Sequence, residues 1–100
     1  MKILLVCAGG MSTSILMKKM LHYAEGQGWQ LEIEAKGIND YLEVCKRYDC
    51  ILLGPQISYQ KSNVLHDSGM PAEVIAPADY GIGNCEHIFA QVRKLIPEQF

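Results

Sequence analysis

Ile3-Leu4-Leu5-Val6-Cys7 is followed at once by Ala8-Gly9-Gly10-Met11-Ser12-Thr13-Ser14, and this junction sets the architecture of the chain. A continuous apolar run is typical of a central strand that is covered on both faces. Beyond the junction the apolar residues recur at helical spacing, as Leu16, Met17, Met20, Leu21 and Ala24. The pattern predicts a buried strand over 2–6, a helix over 12–25 and a cysteine at the turn between them.

This turn has the features of an anion-binding loop. The free N–H groups of the first helical turn and the positive end of the helix dipole point at one spot. Two glycines allow tight curvature, and three hydroxyl side chains add donors and a helix cap. The same field favours the thiolate form of Cys7. We therefore predict a nucleophilic Cys7 in a phosphate-binding loop, although a small buried cysteine is the plainer interpretation. The loop residues are Ala8, Gly9, Gly10, Met11, Ser12, Thr13 and Ser14.

Length and composition predict a single domain over residues 1–100, because 100 residues suffice for one hydrophobic core but not for two. The net charge of -2 argues against broad binding to nucleic acid. The apolar runs are far shorter than a bilayer span, and Met1-Lys2 leads into a predicted strand rather than a signal sequence. We therefore expect a cytoplasmic protein.

The spacing of the cysteines indicates neither a metal site nor a disulfide. There are four, Cys7, Cys45, Cys50 and Cys85, and no two of them form a C-x-x-C pair. Their spacing, even with His87 added, matches no common zinc motif. A G-x-G-x-x-G motif and a P-loop lysine are also missing from the sequence. We therefore predict no metal and no cofactor.

The rest of the chain alternates between strand and helix patterns. Residues 30–35 alternate apolar and polar side chains, which is typical of an edge strand with one solvated face. Such alternation predicts an α/β fold, a four-stranded parallel sheet in the order 2-1-3-4 with helices on both faces. Further strands are predicted over 50–53 and 72–76, further helices from Asn39 or Asp40, over 57–67 and from Asn84, and a loop over 77–83.

In such a sheet, ligands bind beyond the carboxyl ends of the strands, at the switch point of the strand order. Three segments are therefore expected around one shallow site with Cys7 at its floor. They are the loop after Cys7, the turn Gly54-Pro55-Gln56 and the loop over 77–83. Tyr59 and Tyr80 follow these turns, and either a docking surface or ordinary packing accounts for them. Met11 is a candidate for the docking surface, since a flexible apolar side chain suits successive partners.

Three segments carry a resemblance to a known family. They are Cys7 to Ser14, which ends in Gly-Met-Ser-Thr-Ser; Leu52-Leu53-Gly54-Pro55-Gln56-Ile57 followed by Tyr59; and Tyr80-Gly81. With them, the chain resembles the cytoplasmic enzyme IIB component of the lactose/cellobiose group of the bacterial phosphoenolpyruvate-dependent sugar phosphotransferase system (PTS). It departs from that pattern at Ala8, where a serine is expected, and at Ala76, where an aspartate is expected.

The resemblance implies a phosphotransferase whose fold is similar to low-molecular-weight tyrosine phosphatase. It implies that Cys7 accepts a phosphoryl group from a phosphohistidine of the IIA component. Cys7 then passes the group to cellobiose, chitobiose, lactose or another β-glucoside held by the membrane IIC component. We expect a monomer with one overlapping surface for both partners, formed by Met11, Gly54, Pro55, Gln56, Tyr59, Tyr80 and Gly81.

The strongest alternative is a low-molecular-weight phosphatase or a related arsenate reductase. Those enzymes carry the pattern C-x-x-x-x-x-R, but Thr13 stands at the arginine position here. Without the bidentate guanidinium, the loop is expected to bind a free phosphomonoester poorly. Those phosphatases also place an aspartate before a proline as general acid, whereas Ala76 precedes Pro77. Both differences favour a phosphoryl carrier over a hydrolase.

Overall fold

In the part of the chain that the structure describes, four parallel strands form one sheet in the order β2-β1-β3-β4, which confirms the predicted topology. The computed structural model describes residues 1–8 and 14–100. The central strand β1 pairs with β2 from Lys2 opposite Glu32 to Cys7 opposite Gly37. On its other side, β1 pairs with β3, and β3 pairs with β4. The strands are β1 (Lys2–Cys7), β2 (Glu32–Gly37), β3 (Cys50–Leu53) and β4 (Ala72–Val74).

Helices cover both faces of the sheet, and α1 and α2 each connect two of its strands. They are α1 (Ser14–Gly26), α2 (Lys61–Ser68), α3 (Pro77–Ile82) and α4 (Cys85–Leu95). Short 3-10 segments cover Tyr41–Glu43, Cys45–Arg47, Pro55–Gln60 and Pro97–Gln99. As predicted, Asn84 opens α4: it is the N-cap residue, and its side chain accepts a hydrogen bond from the His87 backbone N–H at 3.2 Å. No helix within the described residues is long and apolar enough to cross a bilayer.

The two faces of the sheet support separate hydrophobic cores, because side chains alternate along a strand. Ile3 and Leu5 of β1 pack with α1 and α4, and we call this side the α1/α4 face. Leu4 and Val6 pack with Tyr41, Ile57 and Val64, and we call this side the α2 face. Of the apolar residues predicted to form the buried stripe of α1, Leu16, Met20 and Ala24 are buried, whereas Leu21 is exposed.

The predicted helix from Asn39 or Asp40 is wrong. Two 3-10 turns stand there, and Asp40 makes no capping hydrogen bond through its side chain. Val44, between the turns, has φ of -124°, which lies outside the helical region. Only Tyr41 and Cys45 of these turns are buried, so too little apolar surface is covered to stabilise a continuous helix.

The predicted loop over 77–83 is also wrong, since residues Pro77–Ile82 form α3. Pro77 lies in its first turn, and Gly83 ends it with φ of 65°. Proline near the start and a left-handed glycine after the end are helix signals, and the sequence contains both.

Three further boundaries differ from the predictions. Strand β2 begins at Glu32 rather than residue 30, because residues 27–31 bring the chain back from the end of α1 to Met1. Strand β4 ends at Val74, opposite the last residue of β3. In place of the helix predicted over 57–67, the 3-10 segment Pro55–Gln60 is followed directly by α2, and the buried Ile57 breaks the helical geometry inside that segment with φ of -119°.

Candidate functional site

Cys7 is the last residue of the central strand, at the carboxyl edge of the sheet. Its carbonyl accepts a hydrogen bond from the Ile38 N–H at 2.9 Å, and its main chain is paired with Gly37. The side chain is 2% exposed, and Sγ lies 3.7 Å from the Lys36 carbonyl oxygen. β2 and the Ile38 N–H therefore hold the main chain of Cys7 at the carboxyl end of the central strand.

The loop after Cys7 is described at its two ends. Ala8, directly after Cys7, and Ser14, the first residue of α1, are both exposed. The predictions for Gly9, Gly10, Met11, Ser12 and Thr13 lie outside the described residues.

The turn after β3 stands directly beside β1. The Gly54 N–H donates to the Val6 carbonyl at 2.9 Å, and Gly54 is buried. A Cβ added to Gly54 would stand 3.8 Å from Cε2 of Tyr80 and 2.9 Å from Oε1 of Gln56. The structure therefore brings Gly54, Gln56 and Tyr80 together next to the end of the strand that carries Cys7.

The other residues expected on a partner surface lie around this cluster. Tyr59 is 75% exposed on the 3-10 segment after Gly54. Gly81 is exposed, and no atom lies within 4 Å of a Cβ placed on it. Pro55 is half-buried at the start of that 3-10 segment. Tyr80 packs against the core of the α1/α4 face, so it serves the fold as well as the edge of the site.

Two exposed isoleucines at the same edge were not predicted from the sequence. Ile15 near the start of α1 is 69% exposed, and Ile82 at the end of α3 is 67% exposed. A cavity of about 180 Å³ lies between these helices, lined in part by Ile15, Lys19 and Tyr80, and we call it the α1–α3 groove. Pro77 and Gly83 were the sequence signals available for this part of the edge, because they mark the start and the end of a helix whose last residue is Ile82.

Two polar contacts hold α3 in place. Lys19 Nζ donates to the Ile82 carbonyl at 3.1 Å, which places a cation at the carboxyl end of the helix dipole. Asp79 Oδ1 and His87 Nδ1 are 3.0 Å apart, so α3 is also tied to the first turn of α4. His22, His66 and His87 are exposed, as the sequence analysis predicted.

The remaining cysteines lack the properties of a nucleophile. All four are free thiols, and Cys45, Cys50 and Cys85 belong to the two cores. Burial, with a smaller effect of Asp49, raises the pKa of Cys50 to about 12. Burial also raises the pKa of Cys85, although the Lys19 ammonium acts in the opposite direction. No cluster of three or more His, Cys, Asp or Glu side chains fit to hold a metal ion occurs in the part of the chain that the structure describes.

Comparison with known proteins identifies the family. Residues 2–91 match the family described as "PTS system, Lactose/Cellobiose specific IIB subunit". The chain is 37% identical over 101 residues to the PTS oligo-beta-mannoside-specific EIIB component of Bacillus subtilis (strain 168), which covers 98% of each chain. It is 35% identical over 102 residues to the PTS cellobiose-specific EIIB component of Lactococcus lactis subsp. lactis (strain IL1403), which covers 94% of each chain.

Solved structures agree with this result. The solution structure of the cellobiose-specific phosphotransferase IIB component from Borrelia burgdorferi superposes with a TM-score of 0.79 at 33% identity, covering 99% of this chain and 94% of that one. The lactose-specific IIB component domain from Streptococcus pneumoniae gives a TM-score of 0.79 at 16% identity, covering 91% and 96%, and this likeness shows the fold alone.

These findings confirm the family, the phosphotransferase class and the fold that the sequence predicted. EIIB components of the PTS transfer a phosphoryl group to sugar and work with IIA and IIC partners. The chain therefore belongs to the lactose/cellobiose-specific IIB subunits of the PTS, and it is a phosphotransferase of that sugar-transfer system.

Proposed function

We propose that Cys7 is the residue that carries the phosphoryl group, as a phosphocysteine, between the IIA component and the sugar. The observation that supports this most directly is its position. Of the four cysteines in the sequence, Cys7 alone ends a strand at the carboxyl edge of the sheet, where ligands of parallel α/β folds bind. The other three are packed within the cores.

The proposed reaction consists of two displacements at phosphorus. In the first, the Cys7 thiolate attacks the phosphorus of a phosphohistidine on IIA, so an S–P bond forms as the N–P bond breaks and the histidine nitrogen keeps the electron pair. In the second, a sugar hydroxyl attacks, an O–P bond forms, and the thiolate leaves with the electron pair of the S–P bond. The hydroxyl proton is released to solvent.

The chain itself must then hold and orient the phosphoryl group. We propose that residues 8–14 donate hydrogen bonds to its equatorial oxygens, with backbone N–H groups as the main donors and the hydroxyls of Ser12, Thr13 and Ser14 in support. Removal of one well-placed donor of this kind typically costs about 2.7 to 4 kcal/mol of transition-state stabilisation. The helix dipole of α1, which begins at Ser14, favours the same negative charge.

The surface proposed for both partners surrounds Cys7. It contains Met11, Gly54, Pro55, Gln56, Tyr59, Tyr80 and Gly81, and the exposure of Tyr59 and Gly81 supports it. We add Ile15 and Ile82, because exposed apolar side chains beside the α1–α3 groove suit a partner contact. One overlapping surface requires contacts that release easily, so we propose that the chain, a single IIB domain over residues 1–100, acts as a monomer at the cytoplasmic side.

The proposed sugars are β-linked. The relatives are named as specific for oligo-beta-mannoside, for cellobiose and for galactose. Sugar preference therefore varies among proteins that are about equally similar to this chain. We propose cellobiose, chitobiose, lactose or a β-glucoside other than cellobiose as the acceptor, held by the IIC component.

Intact-protein mass spectrometry under conditions that preserve thiophosphate tests the proposal. The protein is incubated with phosphoenolpyruvate, the general PTS proteins and a matching IIA, and the site of any adduct is mapped. We expect one phosphoryl group on Cys7 that is absent from Cys7→Ser, persists in the control Cys85→Ser and is discharged by IIC with its sugar. Turnover of free phosphomonoester or arsenate without any adduct from IIA would instead favour the phosphatase or arsenate-reductase alternative.

A further inference from the structure

A cavity of about 210 Å³ lies on the α2 face of the sheet, between the 3-10 turns after β2 and helix α2. Tyr41 and Val64 line it, and both belong to the core on that face. The side chain of Cys7 follows the alternation of β1 onto the other face, with Ile3 and Leu5. The cavity is therefore separate from the site at Cys7.

The wall of this cavity combines hydrogen-bonding side chains with an apolar surface. Three amides, one carboxylate and one phenol line it together with an exposed leucine, and these are Asn39, Gln60, Asn63, Asp67, Tyr41 and Leu42. Asn63 Nδ2 donates to Gln60 Oε1 at 3.0 Å, so two of the amides are already oriented. A few polar groups on a partly apolar wall are typical of small-molecule sites.

Tyr41 carries an unused hydrogen-bonding group in this wall. Its side chain is 4% exposed, yet its hydroxyl has no hydrogen-bond partner among residues 1–8 and 14–100. The hydroxyl oxygen is not fully enclosed by protein atoms, and it therefore reaches the cavity that Tyr41 lines. Because this hydroxyl has no hydrogen-bond partner among the described residues and is not sealed off, it is available to a ligand. Burial raises the pKa of Tyr41, and the nearby negative charge of Asp67 raises it further.

The chemistry of the wall selects a neutral ligand. Asp67 repels an anion, and no lysine or arginine of residues 1–8 and 14–100 lines the cavity. Asp67 is the one carboxylate that the described residues place in this wall, and no cluster of three or more His, Cys, Asp or Glu side chains that could hold a metal ion occurs among those residues. A ligand that both donates and accepts hydrogen bonds satisfies amides, carboxylate and phenol together, and its C–H groups can pack on Leu42. The volume is below the range of about 300 to 1,000 Å³ of most ligand pockets, so one ring fills it.

We propose that this cavity binds an uncharged, hydroxyl-rich molecule of the size of one sugar ring, with Tyr41, Asn63 and Asp67 as its polar contacts. This goes beyond the proposed function, in which the acceptor sugar is held by IIC. One wall residue, Ile38, donates its N–H to the Cys7 carbonyl at 2.9 Å. An occupant of the cavity therefore contacts the residue that anchors the end of β1.

Titration of the ¹⁵N-labelled protein with methyl β-glucoside, followed by NMR, tests the proposal. We expect saturable shifts of the Asn39 and Asn63 side-chain amides, with a Kd of about 1 to 10 mM for so small a ligand in an open site. Glucose 6-phosphate and tetramethylammonium should shift these amides less at equal concentration. Equal or tighter binding of either charged probe, or no saturable shift with the methyl glucoside, would contradict the proposal.

A matched pair of tyrosine variants separates a ligand contact from a structural role. Tyr41→Phe removes a hydroxyl without a partner among the described residues, so we expect unchanged thermal stability and binding weaker by about threefold to tenfold. Tyr48→Phe serves as the control, because the Tyr48 hydroxyl donates to Glu34 away from the cavity. Unchanged binding in Tyr41→Phe, or the same loss in both variants, would overturn the assignment.

Discussion

The two ends of the sheet are built differently. At the amino ends, two hydrogen bonds join the start of β1 to the residue before β3: the Lys2 N–H donates to the side-chain oxygen Asp49 Oδ2 at 2.8 Å, and the Asp49 N–H donates to the Lys2 carbonyl at 2.8 Å. At the carboxyl ends, Cys7 ends the central strand, and the exposed Ile15 and Ile82 flank the α1–α3 groove. Changes at the amino ends are therefore expected to alter stability alone, and changes at the carboxyl ends to alter phosphoryl transfer as well.

The largest expected difference concerns two glycines with φ of 65°, Gly83 at the carboxyl end and Gly69 at the amino end. A Cβ on Gly83 would stand 2.6 Å from Cδ of Lys19, whereas a Cβ on Gly69 would approach Lys46 Nζ no closer than 3.5 Å. The left-handed backbone costs an L-residue about 1 to 2 kcal/mol, so both alanine variants should lower the free energy of unfolding in urea.

Only Gly83→Ala should also slow phosphoryl transfer, because it displaces Lys19 from the end of α3. Transfer is measured as the single-turnover rate from phosphorylated IIA, under conditions in which both variants remain folded. An equal loss of transfer in Gly69→Ala would show that the two ends are not functionally distinct.

A smaller effect is expected for the exposed isoleucine of α3. Ile82→Ser should weaken transfer from IIA by about fivefold or more, since truncation of a central apolar anchor typically costs more than about 1 kcal/mol of binding. Leu65→Ser on α2 is the control, because Leu65 is also exposed but lies away from the groove. The rate is measured against IIA concentration, and we expect a higher half-saturation concentration in Ile82→Ser with unchanged stability. The same change in both variants would contradict the partner surface.

The smallest effect concerns pH and a contact outside the site. Burial, the hydrogen bond to Glu34 and the Glu34 charge raise the pKa of Tyr48 to about 12. Because the folded state favours the neutral phenol, this contribution to stability is complete below the unfolded pKa of about 10 and is lost as pH rises toward about 12. The unfolding free energy should fall less steeply over that range in Tyr48→Phe, with transfer at neutral pH unchanged. An identical slope in the two proteins would rule out this contribution.

The sequence predicted the elements whose signals are local and strong. The apolar run before Cys7, the apolar stripe of α4 and the cap at Asn84 each determine an element through burial or one hydrogen bond. The turns at 41–47 could not be predicted from apolar spacing, because two buried side chains are compatible with either helix type. The signals of α3 were present, but its six residues carry no apolar stripe, and none of them is buried.

Much of the candidate site was predictable because parallel strands bring their carboxyl ends to one edge. That rule placed Cys7, Gly54 and Tyr80 together, and Tyr80 indeed lies against the Gly54 turn. The exposure of Ile15 and Ile82 was not predictable, because an isoleucine in a helical pattern normally points into the core. The cavity at Tyr41 was not predictable either, because it depends on how residues 38–42 and 60–67, which are distant in sequence, are placed against each other.

The most direct test of the central claim uses a protein in which Cys45, Cys50 and Cys85 are replaced by alanine, so that Cys7 is the single cysteine. After its fold is checked, it is charged by phosphorylated IIA and its intact mass is measured beside that of Cys7→Ser. We expect one phosphoryl adduct on the single-cysteine protein and none on Cys7→Ser. An adduct on Cys7→Ser, or a folded single-cysteine protein that is not charged by a IIA that charges the unmodified chain, would contradict it.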